Sequence, residues 1–235
     1  IIFSRQGKYE NAISRYRRAI ILHPAFVRAY INLGVTIQDS GFLNHTRIIF
    51  ERVVFIEPTY FEGYYNIGNQ LNKEGKVCSA NAMHKRAICL NPSFAQAYNN
   101  LGNGCRRISF YIEALSHYKR MSILRPQIKE IHLSIAFCHK MIAQFEQAIY
   151  HYDLVDSALS RSKVLECLYS SGSYEEFNRR VDSLASVETN NIGVAAVSAF
   201  VSHQLHFSDP YPFCPKPLEF LFFTNIERFK NHGKY

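Results

Sequence analysis

Two histidines and an aspartate in the second half of the chain are the residue types that bind non-haem iron. His151, Tyr152 and Asp153 form a His-x-Asp motif, and His203 lies further along. In such a site all three ligands must converge on the metal. Tyr152, however, occupies an aromatic helical position that the chain repeats elsewhere, and helix residues two apart point in different directions. The motif therefore predicts an ordinary helix, and we predict no metal ligand here.

The other motifs of catalysis and cofactor binding are missing from the sequence. It contains no His-Glu-x-x-His, no Gly-x-Ser-x-Gly and no glycine-rich phosphate loop. The six cysteines form no Cys-x-x-Cys pair, and none has an evident histidine and acid partner. We therefore predict no catalytic residue and no cofactor, and we classify the chain as a non-enzyme. Scattered cysteines also indicate reduced thiols and a cytoplasmic location.

Asparagine gives the most regular polar pattern in the sequence. Asn32, Asn66 and Asn100 recur at one constant interval along the chain, and Asn69 and Asn103 repeat the same interval. An amide side chain both donates and accepts hydrogen bonds. A row of amides can therefore bind an extended peptide backbone without reading its side chains, provided that structural elements recur at the same interval.

Proline and glycine show that such elements do recur. Pro24, Pro58, Pro92 and Pro126 are spaced evenly at this interval. Proline forces the residue before it out of the helical region, so each one closes a helix. Gly7, Gly41 and Gly75 share another repeat position, which Ser109 and Ala143 then take. At Gly41 and Gly75 it falls between two helical runs and predicts a turn with positive φ or a helix C-cap.

A third set of glycines lies inside the predicted helices. Gly34, Gly68 and Gly102 recur at the same interval, with Ala136 at the next equivalent position. Glycine inside a helix costs about 1 kcal/mol relative to alanine. A cost that recurs in three repeats indicates that two helices cross closely at this point.

Together these positions resemble the tetratricopeptide repeat, a helix-turn-helix unit of about 34 residues. The best unit, Ala95 to Ile128, carries seven of its characteristic positions. The resemblance implies an all-α fold, a right-handed α-solenoid of helix-turn-helix repeats. The seven positions are Tyr98, Leu101, Gly102, Tyr111, Ala114, Tyr118 and Pro126.

The pattern divides the chain into three regions. Residues 1–157 form the repeat array: a partial first repeat, then Val27–Tyr60, Phe61–Phe94, Ala95–Ile128 and a decaying unit from Lys129. Residues 158–206 form a degenerate repeat, with a turn at Gly172 that comes about five residues early, and a capping helix over Ile192 to Leu205. Residues 207–235 form a proline-rich linker or tail.

In the family, the first helix of each repeat lines a groove that holds partner peptides. The asparagine pattern is similar to the ladder in the superhelix of O-linked N-acetylglucosamine transferases, although asparagine is also a common structural choice at this position. The lysines and arginines of the family's carboxylate clamp are absent. The resemblance implies a peptide-binding set of Asn32, Asn66, Asn69, Asn100, Asn103, Tyr65 and Gln96.

The basic residues form a stripe of their own. The net charge is +8, and Arg18, Arg52, Arg86 and Arg120 recur at the repeat interval on the predicted second helices. Such a stripe is either a solvated face or a surface for an acidic partner. Arg106 and Arg107, at the end of a first helix, leave the same two interpretations open. No nucleic-acid-binding signature occurs, and no apolar run is long enough to span a membrane, so we expect neither partner.

We conclude from the sequence that the chain is a protein–protein interaction scaffold that binds a protein or peptide. Two alternatives stay open. The chain is a substrate-recruiting region of a larger enzyme, glycosyltransferase-like or 2-oxoglutarate oxygenase-like, whose catalytic domain lies outside the sequence; residues 195–220 resemble a junction to such a domain. Otherwise it associates with itself through its outer face or ends, and the sequence does not determine the oligomeric state.

Overall fold

The computed structural model describes residues 2–41, 46–187, 190–206 and 208–211, except for the side chains of residues 2–7. Within these ranges the chain forms twelve α-helices and no strand, which confirms the all-α prediction. The chain divides into two compact units, residues 1–128 (unit 1) and residues 129–235 (unit 2).

Unit 1 contains seven helices, and each packs against the next one along the chain. The helices α2, α4 and α6 begin at Val27, Phe61 and Ala95, which are the predicted starts of the three complete repeats. The prediction of helix pairs at a constant repeat interval is therefore confirmed here. The helices are α1 (Ile2–Leu22), α2 (Val27–Asp39), α3 (Thr46–Ile56), α4 (Phe61–Lys73), α5 (Val77–Leu90), α6 (Ala95–Arg107) and α7 (Tyr111–Leu124).

The turns inside the repeats have the backbone conformation that the sequence predicts. Gly41 and Gly75 have φ values of 89° and 78°, and Ser109 and Ala143 adopt 62° and 58° at the same repeat position. The turns at Gly75, Ser109 and Ala143 are also closed by a bond from the next amide back to the carbonyl five residues earlier, as in a Schellman motif. These bonds join Lys76 to Leu71, Phe110 to Cys105 and Gln144 to His139, each at 2.9 Å.

Gly7 shares this repeat position but does not lie at a turn. Helix α1 runs without a break from Ile2 to Leu22 and passes through Gly7. Glycine permits a positive φ without requiring one, so it also occurs at helical angles.

The predicted close helix crossings are confirmed in unit 1. At each crossing, an aromatic or imidazole ring from the second helix of a repeat lies directly over a glycine of the first helix. A β-carbon added to that glycine would lie 2.6 Å from the nearest ring carbon, which is closer than carbon atoms can approach. The pairs are Gly34 with Phe50, Gly68 with His84 and Gly102 with Tyr118.

The described residues of unit 2 form five helices, and α10 packs against α9, α11 and α12. The predicted turn at Gly172 is present, with φ of 76°, and joins α10 to α11. The predicted helix over Ile192 to Leu205 is α12, with the same bounds. The helices are α8 (Ile131–Met141), α9 (Phe145–Val155), α10 (Ala158–Ser170), α11 (Tyr174–Val187) and α12 (Ile192–Leu205).

The early turn at Gly172 has a local cause. Helix α9 has 11 residues, whereas α5 and α7 have 14, and only Asp156 and Ser157 connect it to α10. Ser160 stands where the earlier repeats have proline, and it forms a capping box with Ser157 at the start of α10. A new helix therefore begins at once, without the extended linker that proline imposes.

The end of the described chain packs onto unit 2. The Tyr211 side chain is buried in the core, and its hydroxyl accepts a 3.1 Å hydrogen bond from the Asn191 backbone N–H at the start of α12. Residues 212–235, most of the predicted proline-rich tail, lie outside the described residues. Among the described helices, none combines the length and the apolar character that crossing a bilayer requires.

Candidate functional site

The first helices of unit 1 bring amide side chains together in one cavity of about 320 Å³. Helices α2, α4 and α6 each contribute residues from their C-terminal halves. We call this the amide cavity. Its lining residues are Gln38, Asn69, Asn72, Lys73, Asn100, Asn103, Gly104 and Arg107.

Hydrogen bonds fix the orientation of several of these amides. The Asn100 side chain donates to Asn69 Oδ1 at 2.7 Å, which joins α6 to α4. Asn103 Oδ1 accepts a 2.8 Å bond from the Tyr118 hydroxyl. Asn72 Nδ2 lies 3.3 Å from the imidazole Nε2 of His84. The wall of the cavity is therefore held in place by the same rings that pack over the helix glycines.

Two polar atoms of the cavity residues are buried without a hydrogen-bond partner among the described residues. These are Gln38 Nε2 and Asn72 Oδ1, a donor and an acceptor. A buried polar group without a partner costs about 1–3 kcal/mol, so most such groups in proteins have one. Because both atoms are buried, a ligand in the cavity would reach them only after their side chains turn towards it.

The charges that line the cavity are positive. Lys73 and Arg107 are exposed residues at equivalent positions of successive repeats, and no carboxylate is among the described lining residues. The sequence left open whether Arg107 forms a solvated helix end or contacts an acidic partner. In the structure it lies at the cavity. Two cations without an acid in the described lining favour a ligand that carries negative charge.

The predicted peptide-binding residues divide between this cavity and other places. Asn69, Asn100 and Asn103 line the cavity together. Asn66 is buried, and its Nδ2 donates a 2.9 Å bond to the Glu62 carbonyl one turn earlier in its own helix. Asn32 is exposed on α2. The amides of this repeat position therefore have different surroundings in each repeat.

Tyr65 and Gln96 lie away from the cavity lining. The Tyr65 ring packs edge-on against Phe94, with centroids 4.8 Å apart, and against His84 at 5.6 Å. Gln96 is exposed near the start of α6. Tyr65 thus helps to join two repeats, and Gln96 is free to contact solvent or a partner.

The sequence interpretation missed Gln38 and Asn72 as site residues. A signal for them was present, because they are separated by the repeat interval, as are Lys73 and Arg107. These positions belong to the last turn of the first helices, where polar residues are usually assigned to a solvated end.

The histidine and the aspartate of the His-x-Asp motif in unit 2 contact different residues. His151 Nδ1 lies 3.0 Å from Nδ1 of His132 on α8. Asp153 instead accepts two hydrogen bonds from Arg180 on α11, at 2.8 and 2.9 Å. The described residues contain no group of three or more histidine, cysteine or acidic side chains placed to hold a metal ion.

Comparisons with known proteins agree with this fold. The family model of the TPR repeat, the tetratricopeptide repeat, matches residues 2–41. No curated protein matches the chain in sequence. The fold nevertheless matches that of solved tetratricopeptide repeat structures, so the chain is an all-α repeat solenoid of this type.

Three solved structures illustrate the similarity. YrrB, described as a TPR protein with an unusual peptide-binding site, is 14% identical with a TM-score of 0.69, over 78% of this chain and 97% of YrrB. PilF of Pseudomonas aeruginosa is 16% identical with a TM-score of 0.64, over 93% and 91% of the two chains. MamA is 23% identical with a TM-score of 0.59, over 72% and 93%. At these identities the likeness shows the fold alone.

Proposed function

We propose that the chain is a protein-interaction scaffold that binds an extended peptide through the amide cavity of unit 1. The observation that carries the proposal is that half-buried amides from successive first helices, Asn69, Asn100 and Asn103, line one cavity together. Each amide both donates and accepts hydrogen bonds, so the cavity favours a ligand with acceptors and donors.

A peptide backbone supplies both kinds of group. Every residue except proline offers one N–H donor and one C=O acceptor, and an extended strand leaves them free for an outside partner. The carbonyls would accept from the side-chain amides of the cavity, and the N–H groups would donate to the amide oxygens. Since the lining is mostly amide and not apolar, recognition would depend on the backbone more than on particular side chains.

The cations at the cavity add a preference. Lys73 and Arg107 would favour peptides with an acidic residue or a terminal carboxylate near the bound segment. The described peptide-binding site of YrrB, a protein of the same fold, supports a peptide ligand for this scaffold. Asn32, Asn66, Tyr65 and Gln96 stay predicted contacts for the parts of a peptide that extend beyond the cavity.

A peptide array followed by affinity measurements tests the proposal. We expect the double variant Asn69→Ala with Asn100→Ala to bind a selected peptide about tenfold more weakly, because it removes both partners of the amide bond between α4 and α6. The thermal melt should change little, since both side chains are only half-buried.

The matched control replaces two exposed amides outside the cavity, Asn11→Ala with Gln127→Ala. This control should bind with wild-type affinity. Peptide binding in the amide cavity would be contradicted if no array peptide bound the wild-type protein. Equal affinity for the cavity variant and the control would also contradict it.

A further inference from the structure

The second helices of unit 1 carry a surface of unpaired cations. Arg18, Arg52, Arg86 and Arg120 are exposed at one repeat position of α1, α3, α5 and α7. The residues just before them are exposed as well, and three of the four are basic. We call these eight positions the basic strip; the preceding residues are Arg17, Glu51, Lys85 and Lys119.

The repeat places the strip on one side of these helices. The positions on both sides of the strip are buried. They hold Phe50, His84 and Tyr118 on one side and Val53, Ala87 and Met121 on the other. In α3, α5 and α7, exposed and buried positions therefore alternate with the helical period, and the same face of each of these helices points outward. Seven cations and one carboxylate give the strip a net charge of +6, compared with +8 for the whole chain.

None of the seven cations forms an ion pair with another described residue. The single acid of the strip, Glu51, already pairs with Arg47 at 3.2 Å. In unit 2, by contrast, five lysines and arginines lie in salt bridges with acids of the same unit. These are Lys140, Arg161, Lys163, Arg179 and Arg180. The cations of the basic strip thus lack the internal acidic partners that these five cations of unit 2 have.

Large apolar side chains accompany the arginines one turn further along each helix. Ile21, Phe55 and Ile123 are 76%, 74% and 69% exposed, and Cys89 occupies the same position of α5. The Arg52 guanidinium lies 4.9 Å from the centroid of the Phe55 ring, so charge and apolar surface are in direct contact. Exposure of apolar groups at the same position of successive repeats indicates a surface that a partner covers.

We propose that the basic strip with its apolar companions binds an acidic polypeptide segment that also carries apolar side chains. Carboxylates of the segment pair with the arginines, and its apolar residues cover Ile21, Phe55 and Ile123. This surface lies on the second helices, whereas the amide cavity lies on the first helices, so the proposal is separate from peptide binding in the cavity.

Two other anionic partners fit the surface less well. A nucleic acid would neutralise the cations, but its phosphate backbone offers nothing to cover the isoleucines and the phenylalanine. An anionic bilayer would cover the whole face, including the exposed carboxylate of Glu113, two turns before Arg120 on α7. A polypeptide segment can follow the strip and avoid that carboxylate.

Fluorescence anisotropy with a labelled synthetic peptide of glutamate and leucine tests the proposal. We expect the full chain to bind it, with affinity falling as the salt concentration rises. The triple variant Arg52→Glu, Arg86→Glu and Arg120→Glu should lose at least about tenfold in affinity. The double variant Phe55→Ser with Ile123→Ser should also bind more weakly, and it keeps every charge.

The matched control reverses three exposed cations outside the strip, Lys8→Glu, Arg125→Glu and Lys129→Glu. It should bind within about twofold of the wild type. Circular dichroism checks that every variant folds. If the triple reversal does not fold, the neutral variant Arg52→Gln with Arg120→Gln replaces it in the binding test.

Three results would overturn the proposal. One is that the wild-type chain does not bind the glutamate–leucine peptide. Another is that control and strip variants lose affinity equally, which would show a response to net charge alone. The third is that vesicles containing phosphatidylserine, or duplex DNA, bind the strip while the peptide does not.

Discussion

One buried core position of unit 1 holds an ionisable side chain. His84 is fully buried where the neighbouring repeats have Phe50 and Tyr118. Burial lowers the pKa of His84 to about 4, so the ring is neutral in the folded protein near pH 7. Its Nε2 lies against Asn72 of the amide cavity, which places the ring behind the proposed binding site.

We predict that His84 makes the protein less stable in mild acid. Because the pKa is about 4 when folded and 6.5 when unfolded, the unfolded chain binds a proton that the native state does not. The stabilisation is complete above pH 6.5 and is lost as the pH falls towards 4, by up to about 3 kcal/mol. Urea denaturation at a series of pH values measures this loss.

The variant His84→Phe should lose less stability over the same pH range, since phenylalanine occupies the equivalent position in α3. Replacement of the exposed His23 by phenylalanine is the control for exchanging a histidine for phenylalanine outside the core. The histidines at 117 and 132, whose pKa values are also lowered by burial, are retained in both variants. Identical pH profiles for His84→Phe and wild type would contradict the prediction.

At the scale of elements, the crossing between the two helices of a repeat sets the fold of each unit. In three repeats a ring lies over a glycine, at a distance that leaves no room for a β-carbon. The described structure of unit 2 has Ala136 and Tyr152 at the equivalent positions, both buried in its core. The β-carbon of an alanine therefore fits at this position only where the ring from the second helix does not lie directly over it.

We predict that Gly102→Leu destabilises the protein by about 1–3 kcal/mol or more, because the side chain would overlap Tyr118. Leucine introduced at the exposed position Ser116 of α7 is the control and should melt like the wild type. The double variant Gly102→Leu with Tyr118→Ala should lose less than the two single changes together, since removal of the ring makes room. A Gly102→Leu protein with an unchanged melting temperature would refute the close crossing.

At the scale of the whole molecule, the two proposed surfaces both belong to unit 1. The amide cavity lies on α2, α4 and α6, and the basic strip lies on α1, α3, α5 and α7. In a repeat protein, stability is approximately the sum of each repeat and its contacts with neighbours. A fragment that keeps complete repeats therefore keeps most of the interactions of those repeats.

We predict that residues 1–128 alone fold into a helical domain and bind the peptides proposed for both surfaces. Circular dichroism should show a cooperative melt, and the affinities should lie within about threefold of the full chain. The shorter fragment 1–94 lacks α6 and α7, so it serves as the control and should lose the cavity. An unfolded 1–128 fragment would show that unit 1 depends on residues beyond 128.

The sequence alone determined the helices and turns of this protein. Proline, glycine and the constant repeat interval fix where a helix must end, because these residues restrict or permit particular backbone angles whatever surrounds them. This is why Val27, Phe61 and Ala95 were predicted as repeat starts, and Ile192 to Leu205 as a helix. Gly7 shares the repeat position of Gly41 and Gly75 but lies inside α1, because glycine permits a turn without requiring one.

Only the tertiary structure decided what the repeated side chains do. Asn32, Asn66 and Asn100 are equivalent in sequence, yet one is exposed, one bonds its own helix and one bonds Asn69. Hydrogen-bond partners depend on which neighbouring helix approaches and on the side-chain conformation, and an interval along the chain contains neither. For the same reason the lining of the cavity also includes Gln38 and Asn72, which lie outside the predicted row of asparagines.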